Sequence, residues 1–198
     1  MNTYGIKLTF TERILGTVPK DKEVYAAYIA TRIALDDEVV AAELATVESV
    51  EEKGWTGFHQ NGKGAFLYDY MIKGFFKDAC GMLRRVPGTG SKKLTAYKKV
   101  IDGLVFVEPR EIVLTLPEGA ETSVLERPLR AQTAQGERVA LARSDTCPAG
   151  TSIEFKVLVL GGVSEKLLLE WLEYGQLRGL GQWRNAGYGQ FTYEMTKQ

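Results

Sequence analysis

The residues best suited to chemistry lie near the end of the chain, from Gly175 to Gly189, where five glycines stand among Arg178, Gln182, Trp183, Arg184, Asn185 and Tyr188. Glycine takes positive φ without a Cβ penalty and lets another backbone come close, so this density implies a tight, shaped loop. Guanidinium groups pair with phosphate, and aromatic faces stack on bases. A loop of this make-up can grip the backbone of a nucleic acid and hold its bases. The bland alternative is that Trp183, Tyr188 and Phe191 are core residues and the glycines permit a close helix-to-strand turn.

A second basic set is Lys73, Lys77, Arg84 and Arg85. From Lys63 to Lys99 there are nine basic residues against Asp69 and Asp78, while Asp36 to Glu52 holds seven acidic residues and no Lys or Arg. Formal net charge is zero, with 25 basic and 25 acidic residues. A neutral chain does not coat nucleic acid through bulk charge, but a two-sided charge distribution can still attract a polyanion. The solvated helix face or protein contact is the plainer reading of the acidic run.

His59 is the one histidine, so any histidine-dependent acid or base step must use it. It stands in the glycine-rich stretch Gly54 to Gly64, where Gly57 to Lys63 fits G-x-x-x-x-G-K, but Gly64 occupies the place of the magnesium-holding hydroxyl of a P-loop. The segment before it reads as a helix, not a strand, which weighs heavily against nucleotide hydrolysis. With one His and Cys80 far from Cys147, neither a metal site nor a cofactor is expected. The C-terminal loop is no dinucleotide fingerprint either: the order is helix then loop, and its third glycine would fall at Arg184.

These residues need a scaffold. Thr3 to Phe10 alternates like a strand, and so does Thr151 to Leu160, with Ile153, Phe155, Val157 and Val159 on one side. Ile72, Phe75, Phe76, Ala79, Cys80 and Leu83 form a helical stripe, with Lys73, Lys77 and Arg84 on another side of the same helix. Ser164 caps a helix carrying Leu167, Leu168, Trp171 and Leu172. Further helices are expected over Lys22 to Leu35 and Asp37 to Glu52. Strands are expected over Gly64 to Tyr70, Val100 to Val107, Ile112 to Leu116 and Tyr188 to Met195, with a hairpin from Ser123 to Arg143 turning at Ala134-Gln135-Gly136. Pro87 to Ser91 reads as a flexible connection. Without the insertions the order is β-α-β-β-α-β, an α+β, ferredoxin-like (RRM-like) core. It would form a single domain over 1–198, with a helical insertion at about 20–53 and a hairpin insertion at about 120–145.

Three stretches resemble the RAMP superfamily, the repeat-associated proteins of CRISPR systems. Gly179 to Phe191 is similar to its C-terminal glycine-rich loop, Met71-Ile72-Lys73-Gly74-Phe75-Phe76-Lys77 to the Lys-Gly that begins its first helix, and Ala149 to Phe155 to the turn opening its penultimate strand. The resemblance implies RNA binding through Lys73, Lys77, Arg178, Arg184 and Tyr188, with Trp183 as a stacking residue. Arg84, Arg85, Gln182 and Asn185 complete the candidate nucleic-acid set. Expected partners are RNA or a single-stranded nucleic acid and the subunits of a larger assembly, in a CRISPR-type ribonucleoprotein or a phage or mobile-element relative. No membrane partner is expected, since no apolar run is long enough to span one. Two cysteines and no signal-peptide core point to the cytoplasm. The alternatives are a metal-independent endoribonuclease in which His59 takes the proton from a 2′-hydroxyl, and a phage structural or assembly protein that binds no nucleic acid.

Overall fold

The computed structural model describes residues 1–21, 23, 54–133 and 136–198. The helices expected over Lys22 to Leu35 and Asp37 to Glu52, with the acidic run, lie outside the described residues, as does the hairpin tip at Ala134-Gln135. In chain order the described strands are β1 (Asn2–Phe10), β2 (Ile14–Leu15), β3 (Val18–Pro19), β4 (Trp55–Gly57), β5 (His59–Asn61), β6 (Gly64–Tyr68), β7 (Val105–Glu108), β8 (Glu111–Val113), β9 (Ser123–Thr133), β10 (Gly136–Cys147), β11 (Ser152–Val159) and β12 (Phe191–Lys197). The described helices are α1 (Asp69–Leu83), α2 (Gly90–Lys93), α3 (Tyr97–Leu104) and α4 (Glu165–Arg178). The chain is a mixed α+β protein, as expected.

A four-stranded antiparallel sheet in the order β12-β1-β11-β7 carries the core. Alternation sets its two faces. Tyr4, Ile6, Leu8 and Phe10 of β1 and Ile153, Phe155, Val157 and Val159 of β11 are buried, while Gly5, Lys7, Glu154 and Lys156 face outward. Onto the apolar face pack α1, through Ile72, Phe75, Phe76, Ala79 and Cys80, and α4, through Leu168, Trp171 and Leu172. Phe76 meets Trp171 with ring centres 5.6 Å apart, and Phe75 meets Phe191 of β12 at 5.9 Å. Helix α1 lies between β1 and β7 along the chain, after β2–β6 and before α2 and α3, and α4 joins β11 to β12. Short strands β5-β6-β8 form a second sheet, and β2-β10-β4-β3, with the hairpin partner β9, a third. Among the described residues no helix is long and apolar enough to cross a membrane.

Two local expectations are corrected. Val100 to Val107 is not one strand: Tyr97, Val100, Ile101 and Leu104 lie at helical spacing, α3 buries Ile101 against the core, and β7 begins only at Val105. The β-branched residues suggested a strand, but tertiary burial of one stripe decides for the helix. The glycine-rich stretch Gly54 to Gly64, P-loop-like in part of its spacing, forms strands β4 and β5 and the start of β6. Pro87 to Ser91 is tied down. Thr89 Oγ1 donates to the Leu83 carbonyl at 2.8 Å, the Glu170 carboxylate accepts from the Gly90 and Ser91 amides at 2.7 and 3.0 Å, and Trp171 Nε1 donates to Ser91 Oγ at 2.9 Å.

At Gly175, midway between α1 and β12, a Cβ would lie 2.5 Å from both Phe75 Cζ and Phe191 Cζ. Gly175→Ala is therefore expected to destabilise by about 1–3 kcal/mol through overpacking, even though Ala is the better helix former. Gly74→Ala on α1, where a Cβ meets open space, is expected to be neutral or stabilising by up to ~1 kcal/mol. Thermal unfolding of the two variants beside wild type checks the pair.

Candidate nucleic-acid interface

Helix α4 does not end at Gly175, as the sequence implied, but runs through Arg178, so the turn begins at Gly179. Its return arm comes back to the outgoing arm at van der Waals limits. The Leu180 amide donates to the Gly189 carbonyl at 2.9 Å, the Gly189 amide donates to the Arg13 carbonyl at 2.8 Å, and the Gln182 amide reaches the Leu15 carbonyl at 3.3 Å. Gly189 has φ +73°, and a Cβ there would fall onto the Leu180 carbonyl oxygen, so both its conformation and its surroundings require glycine. Gly181, at φ +92°, is also confined, since a Cβ there would lie 2.7 Å from the Leu15 carbonyl oxygen. Tyr188 belongs to the turn, and the last strand starts at Phe191, whose ring is buried.

Between these arms Arg184–Ala186 make one 3-10 turn, entered by Trp183 at φ +54°, ψ +33°. A bulky residue in the left-handed region is an outlier of about 1–3 kcal/mol, kept only where its surroundings impose it. Trp183 is half-buried, its ring centre 6.4 Å from that of Tyr188. Arg127, from strand β9, holds its guanidinium carbon 5.2 Å from the Trp183 ring centre. Arg127, Arg178, Gln182, Trp183, Arg184 and Asn185 line an open depression of about 440 Å³.

The polar contacts behind this surface fix it. Arg184 Nη1 lies 2.7 Å from Asp78 Oδ2 on α1, and Arg178 Nε lies 3.6 Å from the same oxygen. Arg178 Nη1 also donates to Asn185 Oδ1 at 2.6 Å. Gln182 Oε1 accepts from Thr56 Oγ1 at 2.7 Å, and that hydroxyl lies 3.0 Å from Ser144 Oγ, which donates to the Gly16 carbonyl at 2.9 Å. The depression thus presents guanidinium N–H groups, a carboxamide and an indole at one exposed place, donors suited to an anion with a flat ring near it.

The other basic candidates gather elsewhere. Lys73 Nζ donates to the Asp102 carbonyl at 2.9 Å and lies 5.4 Å from the Phe106 ring centre, with burial lowering its pKa. Lys77 Nζ pairs with Asp102 Oδ1 at 2.8 Å. Arg84 sits over Tyr97 at 5.1 Å, and Arg85 is exposed. Their contacts run to α3, whereas Arg178, Gln182, Trp183, Arg184 and Asn185 meet at the loop. Sequence reasoning missed Arg127, whose hairpin position carried no motif, and Asp78, which counted there only as a stray acid in a basic segment.

His59 lies on β5 with 1% exposure, its ring stacked on Phe66 at 5.5 Å and edge-on to Tyr68 at 4.6 Å. Burial lowers its pKa to about 4. The outward face of the main sheet carries a wider hollow of about 820 Å³, lined in part by Gly5, Lys7, Glu108, Glu154, Lys156 and Glu194. Lys7 pairs with Glu154 there at 3.2 Å.

No known protein family profile matches the chain, and no curated protein sequence does. Solved structures do resemble it. One chain of the cryo-EM structure of the Type III-B Cmr-beta complex bound to cognate target RNA superposes with a TM-score of 0.58 at 12% identity, over 99% of this chain and 60% of that one. A chain of a Type IV-B CRISPR complex superposes with a TM-score of 0.50 at 14% identity, over 98% of this chain and 90% of that one. The chain thus spans 60% of the length of the first of these neighbours. At such identities the likeness is one of fold: this chain is built like a chain of the Type III-B Cmr-beta structure and a chain of a Type IV-B CRISPR complex.

Two outcomes are expected. A His59 whose pKa falls from 6.5 to about 4 on folding leaves the unfolded chain binding more protons between those values, so its stabilising effect is complete above about pH 6.5 and is lost as pH falls toward 4. The loss is on the order of 3 kcal/mol, and the pH dependence of Tm should flatten across this window in His59→Phe. Asp78→Ala is expected to cost about 1 kcal/mol and to quicken amide hydrogen exchange in the Arg184–Ala186 turn.

Proposed function

We propose that the chain is a non-catalytic binding protein for RNA or another single-stranded nucleic acid, with a ferredoxin-like core of RAMP type, and that it serves as a subunit of a CRISPR-type ribonucleoprotein. The observation that carries this reading is the exposed depression where Arg127, Trp183, Arg184 and Arg178 converge on a glycine-fixed loop. Strand order β12-β1-β11-β7, with α1 and α4 as the two crossing helices, supports the β-α-β-β-α-β reading. In this reading, residues 1–198 form a single domain bearing insertions at about 20–53 and 120–145.

The loop is a better platform than the open sheet. Sheet-face readers of RNA stack bases on aromatic residues of their central strands. Here the outward residues of β1 and β11 include Gly5, Lys7, Glu154 and Lys156, without an aromatic ring, and the charges there are mixed. Aromatic and cationic groups come together at the loop instead. The fold neighbours include a chain from a complex bound to target RNA, which supports RNA as the strand to try first.

His59 gives no support to a nuclease. A side chain at 1% exposure, neutral above a pKa of about 4, has no access to a ribose hydroxyl in the folded state. Binding needs only the surface already formed, whereas cleavage by His59 needs its burial between β5 and β6 to be undone.

Fluorescence anisotropy of labelled single-stranded RNA, single-stranded DNA and duplex, titrated with wild type at several salt concentrations, tests the reading. Single strands are expected to bind in preference to duplex, with log K falling linearly in log salt. Trp183→Ala is expected to weaken binding by about 1–3 kcal/mol, the loss of one stacked base. Absence of binding at the lowest salt would remove nucleic acid from the function and leave an assembly role.

A further inference from the structure

We propose that Arg127, on the β9–β10 hairpin, is the residue that takes the phosphodiester of a bound single strand, and that Arg178 and Arg184 position the loop. The inference rests on the binding function proposed above and assigns the contact within that site. The guanidinium groups around the depression differ in the partners they already hold. Arg184 is held at 2.7 Å by Asp78, and Arg178 approaches the same carboxylate oxygen while donating to Asn185. Arg184 already spends Nη1 on that carboxylate, which neutralises part of its charge and leaves it a smaller share of its N–H groups for a phosphate. On the hairpin, Arg143 is held by Glu126 at 2.6 Å.

Arg127 differs from all three. It is exposed, and among the described residues its guanidinium contacts the Trp183 ring and no carboxylate. A guanidinium over a ring face keeps its N–H edge free, and that edge matches two oxygens of a phosphate at once. The ring also restricts the side chain beforehand, so less rotamer freedom is lost on binding. Trp183 is held in a left-handed backbone conformation in a position that meets Arg127. Strain kept at a half-buried aromatic residue at the rim of the depression fits a ring whose placement matters. Asp78 then acts as a built-in anion that holds Arg178 at the end of α4 and Arg184 on the loop away from the phosphate contact.

The test compares salt dependence among full-length variants, with circular dichroism and Tm as folding controls. In anisotropy titrations with single-stranded RNA and with DNA of the same sequence, Arg127→Ala is expected to weaken binding roughly tenfold or more. It should also reduce the slope of log K against log salt by about 0.7, the loss of one phosphate contact on a single strand. Arg127→Lys, which keeps the charge and loses the fork, should retain the wild-type slope with lower affinity. Arg184→Ala should retain the slope and lower Tm. In a Trp183→Ala background the Arg127→Ala change should cost less than in wild type, because the ring that orients the guanidinium is gone.

Wild type binding with a slope that Arg127→Ala leaves unchanged would overturn the inference while the binding function stands. A slope reduced by Arg184→Ala and not by Arg127→Ala would overturn it in favour of the loop arginine. A loss seen with RNA and not with DNA would overturn the phosphate assignment in favour of the 2′-hydroxyl. Failure of wild type to bind either strand at the lowest salt would overturn the proposed function itself, a result separate from all of these.

Discussion

The constraint on which the C-terminal part of this molecule depends is the approach of Gly189 to the backbone of Leu180. A chain leaving α4 at Arg178 on one side of the sheet returns to β12 at its edge by Phe191, and the two arms meet with no room for a side chain. Phe191 follows directly and seats its ring among Phe10 and Phe75 in the core. The return therefore fixes the last strand and, between its arms, the turn bearing Trp183 and Arg184. Both competing readings of the loop describe part of it: the glycines are there for the close turn, and Phe191 is core, but Trp183 and Tyr188 stay at the surface of the arms.

Charge counting along the sequence gave a strongly basic segment, and the structure shows why the count overstates the free charge. Asp102 engages both Lys73 and Lys77, and Asp78 engages both Arg178 and Arg184. The Asp78 carboxylate faces both arginines, whereas Asp102 takes Lys77 on its carboxylate and Lys73 on its backbone carbonyl, so some positive charge remains in each group, but its direction is set. These pairs are partly exposed, where an ion pair contributes about 0–1 kcal/mol. Their effect is on geometry more than on stability. Asp78 ties the loop to α1, and Asp102 ties the basic face of α1 to α3, so the two basic groups are anchored to different elements.

Elements whose burial repeats with their own period were legible. Strand β1 and strand β11 alternate cleanly, and α1 carries its apolar stripe at i, i+3, i+4, i+7, so each was placed within a residue or two. Helix α3 was not legible as a helix, because Val100, Ile101, Val105 and Val107 are strand formers by composition and the helix-strand boundary at Val105 depends on what lies beneath it. The candidate site was half legible. Gly179 to Gly189 announced itself by composition, and Arg178, Gln182, Trp183, Arg184 and Asn185 do meet there. Arg127 lies some fifty residues earlier and enters only through the hairpin. No local pattern could pair it with Trp183.

That dependence on the hairpin has a further consequence for how the site is held. Side chains on a strand point alternately to opposite faces, so a slip of one residue in the β9–β10 register would turn Arg127 away from Trp183. The register sets Arg127 opposite Ala142 and Glu126 opposite Arg143. It is pinned by the Glu126–Arg143 pair, by the contact of Ser123 Oγ with Thr146 Oγ1 at 2.8 Å, and by the docking of β10 on β4. From β4, Thr56 reaches Gln182 of the loop, and Trp55 Nε1 donates to Asp145 of β10 at 2.8 Å. The same short strand therefore braces both the hairpin that supplies Arg127 and the loop that supplies Trp183. Two segments remote in sequence are held in one register relative to each other by a third, and the depression exists because all three agree.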